Sequence, residues 1–289
     1  MGNEAVQKKD LYDQLSRQME ELRLFAELCS RGLEYSVSAT EIHEIVRRGV
    51  EAGIVKRGIT AQQLEQQREQ AVRLERFAKD QAERDFPYLY GLLTLRVWTI
   101  LEDAVNNVVL DRLSDKATLL GSPTFEGLSI PLVPFLSADE QSRNELILEA
   151  LKQVTKSRLK IGIGRFDSLL DAVGLGGGVS DTIRRTILEL SELRNVLVHR
   201  DGVCDKRVPE RCPWLGLRVG DRVSISRNQF LAYALLPQWL FIELHRRGKQ
   251  IQPDAFGVAD LALKEFEQRM GELLSAGPAK AKTSVQNAI

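Results

Sequence analysis

Residues 181–202 read DTIRRTILELSELRNVLVHRDG, and this stretch gives the clearest indication of the fold. Its apolar residues recur at the spacing of an amphipathic helix, at Ile183, Ile187, Leu190 and Leu197. Asp181 is placed to cap the N-terminus of this helix, and Gly202 lies just past its end. The stretch therefore predicts a helix whose last turns are Leu190–His199.

Three residues in these last turns can handle a phosphate or a proton, namely Arg194, Asn195 and His199. Arg194 and His199 are separated by roughly 140° around the helix axis and by about 7.5 Å along it. Asn195 and His199 are one turn apart, so the amide can hydrogen-bond the imidazole and fix its tautomer. A site that uses both Arg194 and His199 is therefore assembled most easily between two copies of the helix.

An interpretation without chemistry accounts for the same residues. Arg and His near a helix C-terminus interact favourably with the helix dipole, and a glycine after the last turn is a common way for a helix to end. On these grounds alone, helix termination and a functional site explain the pattern equally well.

Arg194–His199 has the form R-N-x-x-x-H, which resembles the motif of the HEPN superfamily (higher eukaryotes and prokaryotes nucleotide-binding). The sequence RDGVCD at 200–205 also resembles the tail that often follows this motif in bacterial members. The resemblance covers residues 86–247. It implies an α-helical fold and a metal-independent endoribonuclease that dimerises to bring two motifs together, often in toxin–antitoxin or antiphage systems. Some toxin members carry a Tyr two residues after the His, where this chain has Asp201, so regulation through that Tyr is not implied.

The resemblance also assigns roles to residues of this chain. Arg194, Asn195 and His199 become the expected catalytic residues. In similar proteins an acidic residue on an early helix can pair with the motif Arg, and Glu102 is the candidate here. A merely structural or solvated Glu102 is the alternative.

The segment around the motif has a local excess of basic residues. Residues 181–227 hold ten Lys or Arg against seven Asp or Glu. The residues expected to contact RNA phosphates are Arg200, Lys206, Arg207 and Arg211. Trp214 is able to stack on a base, although an aromatic residue at this position also suits core packing.

The overall composition limits the function. The chain has 40 Lys or Arg and 40 Asp or Glu, so its net charge is zero and any RNA contact must be local. Three cysteines fit a reducing cytoplasm. The sequence has no signal peptide core and no apolar run long enough to span a membrane. We expect a cytoplasmic protein without a cofactor. Cys204 and Cys212 lack the paired spacing and the fourth ligand of a zinc site, and neither a metal nor a disulfide is predicted.

Helical patterns along the chain predict an all-α helical bundle with four regions. Residues 1–85 are expected to form an N-terminal helical, coiled-coil-like extension, and residues 86–250 a HEPN-like core. Residues 251–275 are expected to form a C-terminal helix and residues 276–289 a disordered tail. A small β-hairpin is predicted at 213–226, where apolar and polar residues alternate around a Gly-Asp turn. Residues 114–141 read as a long loop.

Two functions follow from these observations. One is an endoribonuclease that cleaves RNA through attack of the 2′-hydroxyl at a composite site of a homodimer. The other is a non-catalytic helical module that binds RNA, a nucleotide or a protein partner, with the N-terminal helices as the recruiting surface. The R-N-x-x-x-H motif favours the enzyme, and the absence of net positive charge favours the module.

Overall fold

The computed structural model describes residues 2–54, 60–114, 123–157, 162–248 and 256–276. The all-α prediction is confirmed, because the regular structure of these residues is helical. The longer helices are α1 (Gly2–Ser36), α2 (Ala39–Glu51), α3 (Ala61–Glu83), α4 (Pro87–Ser114), α7 (Glu140–Ser157), α8 (Ile163–Ala172), α9 (Asp181–His199), α11 (Arg227–Ala234), α12 (Leu236–Arg247) and α13 (Phe256–Ser275). Short helical segments are α5 (Pro123–Glu126), α6 (Leu132–Ser137), α10 (Arg207–Arg211) and the 3₁₀ turn Pro213–Leu215.

Helix α4 lies at the centre of the bundle. Apolar residues occur on almost every side of it, which is the pattern of a helix buried by neighbours all round. Helices α1, α7, α8, α9, α11 and α12 all pack against it. Trp98 of α4 stacks on Phe166 of α8 with ring centres 5.3 Å apart, and Tyr90 stacks on Phe230 of α11 at 5.5 Å.

The N-terminal helices pack onto this core. Leu15 and Leu22 of α1 are buried in the same apolar cluster as the residues of α4. Helix α3 packs against α1 and α2. The sequence Thr60-Ala61-Gln62-Gln63 predicts a capping box at the start of α3, and this is confirmed: the Thr60 hydroxyl accepts from the backbone N–H of Gln63, whose side chain accepts from the backbone N–H of Thr60. The sequence Ser38-Ala39-Thr40-Glu41 predicts the same arrangement for α2, and this is wrong, because Ser38 makes no side-chain capping bond.

Helix α9 follows the predicted pattern, and its apolar residues Ile183, Ile187 and Leu190 are buried. Its N-cap is Ser180 rather than Asp181, because the Ser180 hydroxyl accepts from the backbone N–H of Ile183. Gly202 adopts a positive φ of 74° after the last turn, and its N–H donates to the carbonyl of Val196 at 3.2 Å. The prediction of a glycine-terminated helix is thus correct.

The predicted β-hairpin at 213–226 is wrong. Residues 213–215 form the 3₁₀ turn, and residues 220–223 pair with residues 202–204, which follow α9. The N–H of Cys204 donates to the carbonyl of Asp221, and that of Val223 donates to the carbonyl of Gly202. The pairing is confined to an isolated bridge between Val203 and Arg222. The alternation of apolar and polar residues therefore belongs to a segment that pairs with residues 202–204 and does not fold back on itself as a hairpin.

Other boundaries also differ from the sequence pattern. Apolar residues at helical spacing predict one core helix over 230–245. The structure divides it at Leu235 into α11 and α12, because Pro237 in the first turn of α12 has no N–H to continue the helical bonds. The loop expected over 114–141 contains α5 and α6, while residues 115–122 lie outside the described residues. The tail predicted from residue 276 also lies outside them from residue 277 onwards. None of the helices in the described ranges is both long and apolar enough to cross a bilayer.

Candidate functional site

The R-N-x-x-x-H motif occupies the C-terminal end of α9, where this helix passes α4. The contact is close: a β-carbon added to Gly91 of α4 would lie 3.8 Å from Cδ2 of Leu197. The last turn of α9 is fixed by this packing, and by the bridge that joins residues 202–204 to residues 220–223. Arg222 adds an ion pair to Asp201, with Nη2 and Oδ2 3.1 Å apart.

The three motif residues differ in their surroundings. His199 is exposed, and its ring makes no hydrogen bond within the described residues. Arg194 is half-buried, and its Nη1 donates to Oδ1 of Asn195 at 3.1 Å. Asn195 therefore holds the guanidinium rather than the imidazole, and the predicted Asn195–His199 contact is not among the hydrogen bonds of the described chain.

Glu102 pairs with a different arginine from the one expected. Its Oε1 lies 3.6 Å from Nη1 of Arg165, at the start of α8. Arg194 has its hydrogen bond to Asn195 instead. Within one chain, Glu102 thus joins α4 to α8 and does not orient the motif.

The four basic residues expected to bind RNA fall into two groups. Arg200 and Lys206 are exposed, with Arg200 Nη2 3.8 Å from Oδ2 of Asp205. Arg207 donates to the same carboxylate at 2.7 and 2.9 Å, and these bonds hold the pKa of Asp205 below its usual value. Arg211 pairs with the buried Glu192 at 2.7 Å. Arg200 and Lys206 are thus the most exposed of the four predicted residues.

Glu189 and Glu192 of α9 are buried and lie within the two turns that precede the motif. Neither carboxylate is among the residues predicted from the sequence. Glu189 accepts hydrogen bonds from the hydroxyl of Tyr233 at 2.5 Å and from Nε1 of Trp214 at 2.8 Å. Glu192 accepts from Arg211. Both share a helix face with Val196, which packs on Cys204 and Val208. The sequence contains a signal for this burial: Glu192 lies four residues and Glu189 seven residues before Val196, and this spacing places both carboxylates on the same helix face as Val196.

The three cysteines are free thiols, and Cys204 and Cys212 are buried. Burial raises the pKa of Cys212 to about 12, and the nearby carboxylates of Glu189 and Glu192 contribute to the rise. Within the ranges that the structure describes, no three His, Cys, Asp or Glu side chains are grouped as they would need to be to hold a metal ion.

The fold and the site together define an all-α protein in which the last turns of a core helix carry an exposed histidine and a half-buried arginine that is hydrogen-bonded to its neighbour Asn195. Comparisons with family models, with curated proteins and with solved structures find no match to this chain.

Proposed function

We propose that the protein is a metal-independent endoribonuclease of the HEPN type that acts as a homodimer in the cytoplasm. The observation that carries the proposal is the state of the two motif side chains at the end of α9. His199 is exposed, and the one hydrogen bond of the Arg194 guanidinium to a described residue is to the neutral amide of Asn195. An arginine locked in a buried ion pair could not receive a phosphate, and neither residue is locked in this way within the described chain.

The chemistry follows from the side chains. Arg194 would hold the scissile phosphate and stabilise the additional negative charge of the pentavalent state. His199 would take the proton from the attacking 2′-hydroxyl or give a proton to the leaving 5′-oxygen. The products are a 2′,3′-cyclic phosphate and a 5′-hydroxyl. DNA lacks the nucleophile and should not be cleaved.

The geometry favours a composite site. Because Arg194 and His199 point to different sides of α9, one helix does not present both to the same phosphate. Two helices brought together with their ends adjacent can place Arg194 of one copy opposite His199 of the other. Arg200 and Lys206, exposed near the same end, would then attract the RNA backbone.

The test is cleavage of labelled RNA in EDTA by the parent protein and by Arg194→Ala and His199→Ala variants. Arg184→Ala and His43→Ala serve as matched controls, because they remove the same side chains from exposed or half-buried positions away from the motif. We expect cleavage by the parent and by both controls, with cyclic-phosphate ends, and none by the two motif variants. Cleavage that survives in both motif variants would overturn the assignment.

A second candidate is a non-catalytic module that recruits a protein partner through its N-terminal helices. The observation in its favour is a set of large apolar side chains exposed on α1 and α2, comprising Leu24, Phe25, Leu28, Tyr35, Ile42 and Ile45. A folded protein that cleaves none of a varied set of RNAs, but loses a partner when Leu28 and Tyr35 are changed to Ser, would support this candidate.

A further inference from the structure

A cleft separate from the motif lies along α9 on the side of Arg185 and Glu189. We call it the Trp214 cleft; its walls also include the N-terminus of α11 and the C-terminal end of α13. Its volume is about 800 Å³, which is within the range of roughly 300–1,000 Å³ that is usual for small-molecule sites. His199 and Arg194 are not among its lining residues.

The indole of Trp214 is held rigidly at this cleft. Its Nε1 donates to Oε2 of Glu189 at 2.8 Å, and Glu189 is itself buried and bonded to Tyr233. The bond fixes the plane of the ring before any ligand arrives, so little side-chain freedom is lost on binding. Trp214 as a residue nevertheless remains 37% exposed. An aromatic side chain that is held rigidly and is partly exposed is suited to stacking.

A cation lies on the same ring. The guanidinium carbon of Arg185 is 4.5 Å from the centre of the Trp214 ring. Arg185 is exposed and has no carboxylate partner within the described residues, so its donors are available to an anion. Arg84 also lines the cleft, but its guanidinium is paired with Asp80, and the carboxylates of Glu83 and Asp85 belong to the same lining. Arg185 is therefore the cation that an anion would meet. The apolar side of the lining includes Leu215, Leu217 and Val223.

We propose that the Trp214 cleft binds a purine nucleotide, either free or as one residue of a single-stranded RNA. The base stacks on the exposed part of the indole, and its phosphate is met by Arg185. A ligand that is flat and aromatic at one end and anionic at the other matches an aromatic surface next to an unpaired guanidinium. Purines are preferred to pyrimidines because the larger ring overlaps the indole more fully.

The protein contains a probe for this site. Trp98 and Trp239 are 3% and 2% exposed, whereas Trp214 is the exposed tryptophan of the three. Quenching of tryptophan fluorescence by a nucleotide therefore reports on Trp214. We would titrate AMP, GMP and UMP, and separately a short single-stranded RNA, into the full-length protein, with correction for absorption by the bases.

We expect AMP and GMP to quench more strongly and at lower concentration than UMP. Arg185→Ala should weaken the binding by about tenfold, the equivalent of one charge-assisted contact. Arg184→Ala is the matched control, because Arg184 is the next residue of α9, is exposed, and does not line the cleft. Its affinity should equal that of the parent.

The separate titrations with mononucleotides and with RNA distinguish a free nucleotide from a nucleotide within a strand. Quenching by mononucleotides identifies a free nucleotide as sufficient, and quenching by RNA alone identifies a base presented within a strand. The absence of quenching by every nucleotide and by RNA would overturn the proposal, and so would equal affinities of Arg185→Ala and Arg184→Ala. Because His199→Ala leaves the cleft intact, binding should persist in that variant, and a failure of the ribonuclease proposal would leave this result unchanged.

Discussion

Arg211 Nη1 lies 2.7 Å from Oε1 of Glu192, a carboxylate that is almost completely buried on α9. The pair joins α10 to α9 one turn before Val196. A buried carboxylate without a cation is costly, because the charge loses its hydration and gains no compensating partner. Arg211 therefore has a structural task, which explains why it is less available to RNA than its position in the sequence suggested.

Arg211→Ala should destabilise the protein by about 2–4 kcal/mol, because it leaves Glu192 buried without its cation. Denaturant unfolding measures the loss. The double variant Arg211→Ala, Glu192→Gln should recover a large part of it, since the charge is then absent. Arg207→Ala is the control: its pair with Asp205 is more exposed and is worth at most about 1 kcal/mol. Equal losses in Arg211→Ala and Arg207→Ala would contradict this account.

Glu189→Ala should also destabilise the protein, by about 2–4 kcal/mol, because it removes the acceptor of both the Tyr233 hydroxyl and the Trp214 indole N–H. Glu189→Gln keeps one acceptor oxygen and should lose less. The measurement is the denaturant midpoint, with the fluorescence of Trp214 as a second signal. If Glu189→Ala were as stable as the parent, these hydrogen bonds would not be holding the indole in place.

Stability should fall in alkaline solution because of Cys212 and Tyr233. The pKa of Cys212 is raised from its ordinary 9.0 to about 12, and burial together with Glu189 raises the pKa of Tyr233 well above its ordinary value. At a pH between the ordinary and the raised pKa of either group, the unfolded chain has released the proton while the folded chain keeps it. The free energy of unfolding therefore decreases as pH rises through this range. Each group contributes up to about 1.4 kcal/mol per pH unit.

Urea unfolding at a series of pH values above 8 checks this slope. Cys212→Ala should have a shallower decline above pH 9 than the parent, because one of the two groups has been removed. The same variant should show the parent's pH dependence between pH 6 and 8. A decline that is identical in parent and variant would exclude Cys212 as a source.

A composite site predicts complementation between inactive variants. A mixed dimer of Arg194→Ala and His199→Ala has one site with both residues and one with neither. After equal amounts are mixed and allowed to exchange, about a quarter of the parental cleavage should return. Each variant mixed with itself should stay inactive. If the mixture also stays inactive while the parent cleaves, then Arg194 and His199 of the same chain form the site.

The helices of this protein were largely predictable because their signals are local. Apolar residues at helical spacing predict a core helix over 86–113, which is α4, and another over 181–199, which is α9. The capping box predicts the start of α3, and Gly202 predicts the end of α9. The bridge between Val203 and Arg222 was not predictable, since its two sides are separated in the chain by α10 and the 3₁₀ turn and no local pattern pairs them. Glu189 and Glu192 were missed for a related reason. From the sequence alone, a charged residue on a helix is predicted to face solvent, because the part of the chain that packs over it is not known.

The motif itself was easy to locate and its contacts were not. R-N-x-x-x-H is a contiguous pattern, whereas the ion-pair partner of Glu102 depends on how α8 packs against α4. Arg165, in the first turn of α8, forms the ion pair with the Glu102 carboxylate. Spacing predicted the angle between Arg194 and His199, but it could not predict that Asn195 would bond to its immediate neighbour.

The position of Leu15 determines how this protein should be produced for experiments. This residue of α1 is buried in the main apolar cluster, and it lines a small recess together with Ala104 and Val108 of α4 and Leu244 of α12. A shortened polypeptide that starts at residue 86 would uncover these side chains to water and invite self-association during expression. Trimming to the motif-bearing region would then yield an inert precipitate that could be mistaken for an inactive enzyme, so assays of either proposal should use the full-length chain.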